Sequence, residues 1–192
     1  MHQSVLAERF GEARYSRDSW SRHEGRAKSG EKLPFDFRKM FAAIALHIGS
    51  SVVRRGYFCD VSMDVEVPRH FKGYPDILQG LICSLADHSL SQIRNGGMVI
   101  KVQSVPVKNG EHHLVIVEIS NTAQGFCERS AALETILEQF SEPRPYCFSY
   151  GTSWLFGERQ LKSPLNGRIM AQSLYGWGSR YKIEFELESH ES

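Results

Sequence analysis

The chain has 192 residues, 41% of them hydrophobic, and a formal net charge of +1. This is enough for one ordinary domain with a real core and a short appendage, and the balanced charge gives no electrostatic basis for binding nucleic acid or an anionic membrane. No apolar run approaches the roughly 20 residues of a spanning helix, and the opening MHQSVLAERFGEARYSRDSW is too charged for a secretory signal.

In residues 1–33 charges of both signs alternate around Gly25 and Gly30. Val5, Leu6 and Phe10 mark one helical face, and the second half reads as a linker. PFDF (34–37) then opens a helix. Asp36 is its N-cap, Phe37, Met40, Phe41, Ile44, Ile48 and Val52 form an apolar stripe, and Gly56 stops it. From Tyr57 to Val67 the pattern alternates, with Cys59, Val61, Met63, Val65 and Val67 on one side, so a half-buried strand is predicted. Gly73–Ser91 reads as the central helix: Pro75 and Asp76 suit a first turn, and Leu78, Leu81, Ile82, Leu85 and Leu90 make an apolar face. Ser84, His88 and Ser91, spaced i, i+4, i+7, share another stripe.

Asn95-Gly96-Gly97 is a turn, Met98–Val102 a strand, and Leu114–Ile119 its hairpin partner across Lys108-Asn109-Gly110. Ser120–Phe126 is a polar loop and Ala131–Phe140 a helix. Ser141–Ser153 is a loop and Glu158–Leu165 is read as weakly helical. Arg168–Leu174 is a strand, and Tyr181, Ile183, Phe185 and Leu187 alternate through a last one. The elements predict an α+β fold, a two-layer sandwich of a mixed, mostly antiparallel sheet with helices on one face. Cys59, Cys83, Cys127 and Cys147 are scattered without a C-x-x-C, which suits reduced thiols in a cytoplasmic chain. His112-His113 reads as a strand lead-in, not a metal pair.

In this order the pieces resemble the catalytic, ATP-binding domain of sensor histidine kinases, of the Bergerat-fold (HATPase) class. PFDFRKM resembles the family's opening, and Pro68–Ser91 resembles its G-D-P…N-L-x-x-N-A-x-K stretch. Ile119–Phe126 stands where the family has D-x-G-x-G, and Ile136–Phe140 resembles its I-F-E-P-F. Asn166–Ile169 and Gly176–Tyr181 resemble the closing G-G-R-I and G-x-G-S-x-F. Ser21-Arg22-His23-Glu24 is similar to the end of the second helix of the dimerisation and phosphoacceptor domain. The implied domains are 1–33, helix tail and linker, and 34–192, the ATPase-like domain.

The resemblance also implies which site residues have changed. His88 stands for the asparagine that ligates Mg²⁺, and imidazole is a poor ligand for so hard a cation. Ser84 and Ser91 stand for a second asparagine and a phosphate-binding lysine. Asn121 stands for the aspartate that reads adenine, where its carbonyl could still accept a bond. Ala123 replaces the first glycine of that box and Gly125 keeps the second. In the phosphate-cradling turn Gly151 and Thr152 remain, but Trp154 and its neighbours replace glycine, and with Tyr150 it could plug the site. The expectation is a non-catalytic signalling domain of two-component systems with no bound cofactor. It would act by protein–protein contact with a histidine kinase, a response regulator or a second copy. The alternative is a divergent ATPase domain that still binds ATP or ADP with Mg²⁺.

Overall fold

Two apolar helices and the alternation of two long strands decide which side of the sheet is the interior. The computed structural model describes residues 32–125, 131–142 and 154–190. Its elements are β1 (Leu33–Asp36), α1 (Phe37–Arg55), β2 (Phe58–Met63), β3 (His70–Gly73), α2 (Pro75–Ser91), β4 (Gly97–Val107) and β5 (His112–Asn121). They continue with α3 (Ala131–Phe140), β6 (Trp154–Gln160), β7 (Gly167–Leu174) and β8 (Gly178–Ser189).

Strands β5 and β8 form the spine and pair antiparallel over their length, His112 opposite Glu188 and Asn121 opposite Ser179. The spatial order is β1-β3-β8-β5-β4-β2, with β7 also on β8 and β6 on β7. All these pairs are antiparallel except β2 with β4. Val115, Val117, Ile119, Tyr181, Ile183 and Phe185 are buried with the apolar faces of α1 and α2. Arg180, Lys182, Glu186 and Glu188 alternate to the other side. The architecture is the expected α+β sandwich.

Local signals hold at the helix ends. The Asp36 side chain accepts the Lys39 N–H at 2.8 Å, and Gly56 closes α1 in the left-handed region at φ 70°. Proline occupies the first turn of α2. The hairpin of β4 and β5 forms as predicted but is longer at both ends.

Several expectations need correction. Leu33–Asp36 is a strand, not part of the helix opening, and β3 lies between Pro68 and α2 where no strand was predicted. Both are held by non-local packing: the fully buried Phe71 ring sits edge-on to Phe37, 5.6 Å between centroids. Such a pair adds about 0.5–1.5 kcal/mol beyond area burial. Strand β2 stops at Met63, so Val65, expected inside, is 88% exposed. The Arg38 guanidinium instead gathers the Val65 and Val67 carbonyls at 2.9 and 2.8 Å. The stretch from Glu158, expected as a weak helix, continues β6 to Gln160 against β7.

Candidate functional site

The stripe on α2 does not form one solvent-facing surface. Ser84 is half-buried, His88 is buried at 6% exposure, and Ser91 is exposed. The Ser91 hydroxyl turns back to donate to the His88 carbonyl at 2.7 Å. His88 packs edge-on against the fully buried Tyr181 of β8, with centroids 6.0 Å apart. Its Nε2 meets no hydrogen-bond partner among the described residues. Burial lowers the imidazole pKa below its ordinary 6.5, so at neutral pH the ring is uncharged.

Asn121, the last residue of β5, is also buried, and every part of its amide is used. Nδ2 donates to the Ser89 hydroxyl at 2.7 Å and to the Ser89 carbonyl at 3.2 Å. Oδ1 accepts the Ala123 and Ser179 backbone N–H groups, each at 3.1 Å. The backbone partners fix which end is nitrogen and which is oxygen. One side chain thus ties α2, the end of β5 and the start of β8 together. Beside it the Ser173 and Ser179 hydroxyls lie 3.1 Å apart, both buried.

The expected availability of the Asn121 carbonyl is therefore corrected, because its lone pairs are already taken by two backbone donors. Ser89 was not among the expected site residues. A signal was present: Ser89 stands four residues beyond Leu85 and eight beyond Leu81, on the apolar face of α2, where a hydroxyl needs a partner.

Ala123 is buried and does not adopt a positive φ, so alanine in place of the family glycine brings no backbone strain there. Gly125 does, at φ 75°, and a Cβ on it would fall against the Leu174 carbonyl oxygen. Gly151 and Thr152 lie outside the described residues. Trp154 is the first residue of β6, opposite Leu174, and its side chain lies outside the described set, as does Tyr150. Among the described residues no group of three or more His, Cys, Asp or Glu side chains could hold a metal. His112 instead pairs with Glu186 at 2.8 Å, and His113 packs edge-on to Phe71.

Burial raises the pKa of Cys59 to about 11, with Asp60 adding to the shift, and burial raises that of Cys83 further. Neither thiol is poised as a nucleophile.

Comparison with known proteins returns structures rather than sequences. No family profile matches the chain, and no curated protein matches it. Solved structures do match. Full-length ShkA in complex with AMPPNP superposes with a TM-score of 0.59 at 10% identity, over 90% of this chain and 35% of that one. The nucleotide-free catalytic domain of the histidine kinase ThkA superposes with a TM-score of 0.51 at 10% identity, over 84% of this chain and 99% of that domain. The chain thus spans about a third of ShkA but nearly the whole ThkA catalytic domain. It has the fold of histidine kinase catalytic domains, the HATPase-like sandwich.

Proposed function

We propose that this chain is a non-catalytic, histidine-kinase-like domain of two-component signalling. It acts by protein–protein interaction and has lost ATP binding. The observation that supports this most is Asn121. At the position that resembles the adenine-reading aspartate, Oδ1 accepts two backbone N–H groups and Nδ2 is spent on Ser89. No donor or acceptor of the Asn121 amide remains for a purine. Four residues along α2 from Ser84, the position that resembles the magnesium ligand carries a buried, neutral imidazole in place of a side-chain oxygen. These residues do not fit a magnesium nucleotide, and no phosphotransfer step follows from them. The partner on this reading is a response regulator, a histidine kinase or a second copy of the chain.

The test is a thermal melt of the whole chain with and without millimolar ATP or ADP and Mg²⁺. A ligand at about 100 times its dissociation constant stabilises by about 2.7 kcal/mol. For a domain of this size that is a rise of about 5–10 °C. We expect no shift with either nucleotide. A rise that depends on magnesium would replace this reading with that of a divergent ATPase domain.

A further inference from the structure

The side of the sheet away from the helices carries its own cavity, of ≈ 310 Å³, where β7 turns into β8. Alternation places it there. Tyr181 and Asn121 are buried towards the helices, so Arg180 and Ser120 point the other way. Ser120 and Gln172 stand on either side of Arg180 in register. These three side chains, with Leu174 and Trp177, line the cavity.

Trp177 is 80% exposed, yet its backbone is held. Its N–H donates to the Leu174 carbonyl at 3.0 Å, and the Gln124 amide donates to the Tyr175 hydroxyl at 2.8 Å. Gly178, at φ 124°, packs so close that a Cβ would fall on the Asn121 carbonyl oxygen. An indole left in water on a held turn offers a stacking surface. Arg180 faces it with a side chain 56% exposed, its Nε 3.4 Å from Glu118. That pair is a single, exposed contact through Nε, so it is weak. A planar cation with a fork of N–H donors suits a carboxylate, and a cavity of this size lies at the small end of ligand pockets.

We infer that this cavity binds a small flat anion, an aromatic or heteroaromatic ring bearing a carboxylate. The ring stacks on Trp177, the carboxylate meets Arg180, and the Gln172 amide supplies a further donor, while the Ser120 hydroxyl is turned to Glu118. Asn121 and Ser179 also border the cavity, but alternation turns their side chains to the helix side, where the Asn121 amide is spent on Ser89, Ala123 and Ser179, so the ligand groups are those of the outer face.

The experiment is a titration of the ¹⁵N-labelled whole chain with 2-naphthoate, and with the uncharged 2-naphthamide, following the Trp177 indole N–H. A Trp177→Phe variant assigns that resonance. The site predicts a saturable shift with naphthoate, binding at least tenfold weaker for the amide, and an equal loss in Arg180→Gln. Circular dichroism melts of the variants matching the parent chain would confirm that the fold is unchanged. A response that stays linear to the solubility limit would overturn the inference. So would equal responses to acid and amide, which would mark Trp177 as a general apolar surface. Unaltered naphthoate binding in Arg180→Gln would overturn it too.

Discussion

Asn121 joins three elements through one amide, and its partners leave no freedom over which end points where. An Asn121→Asp substitution restores the residue type of the resembling family but puts a carboxylate oxygen about where Nδ2 now stands, 3.2 Å from the Ser89 carbonyl. Two acceptors then face each other in a buried site, which costs about 1–3 kcal/mol. The expected result is a lower urea midpoint with no gain of a nucleotide-dependent melt. His88 makes a pH-dependent contribution. Its pKa in the fold lies below the ordinary 6.5, so between those values the unfolded chain binds more protons than the folded one. The stability associated with the neutral ring is present above pH 6.5 and is lost as pH falls through the folded value. His113, also lowered by burial, adds to the same limb. Denaturant midpoints measured from pH 7.5 to 5 will fall, and His88→Leu will flatten the slope while leaving the His113 part.

The start of α1 shows how much one element end can carry. Asp36 caps Lys39 and holds the Arg69 guanidinium at 2.8 Å. Burial raises its pKa, but these bonds outweigh it and hold the carboxyl below its usual range. An Asp36→Ala chain will lose about 0.5–2 kcal/mol, read as a lower midpoint at neutral pH. The difference from the parent will shrink as acid protonates the carboxyl. This cap was legible because all of it lies within four residues. The β3 strand was not legible: four residues carry too little alternation, and Phe71 is defined by Phe37 and the end of β8. The stretch from Glu158 has helix-forming side chains, but pairing with β7 overrides that weak preference.

Across the whole molecule the sheet grades from a doubly paired centre to edges. Strands β5 and β8 have neighbours on both sides and bury Val115, Val117, Ile183 and Phe185 beneath the helices. Strand β2 is paired on one side among the described residues, and Phe58 is 44% exposed. Native-state hydrogen exchange should therefore find the slowest amides in β5 and β8, opening only with global unfolding, and faster ones in β2. Equal protection in β2 would mean that another chain covers that edge. At 10% identity the likeness to histidine kinase catalytic domains is one of fold, the order and pairing of helices and strands.

Sequence alone determined the α+β class, the apolar faces of α1 and α2, the cap at Asp36, the β4–β5 hairpin and the alternation of β8. All of these are periodicities or short-range contacts, written within a few residues of one another. It also marked Ser84, His88, Ser91 and Asn121 as changed relative to the resembling family. Only the tertiary structure decided where those side chains sit and what they bond. His88 is buried because Tyr181 lies across from it, and Asn121 is saturated because Ser89 and Ser179, 32 and 58 residues away, bring their groups to it. Burial and hydrogen-bond partnership are properties of pairs of distant residues, and a local pattern carries no record of them.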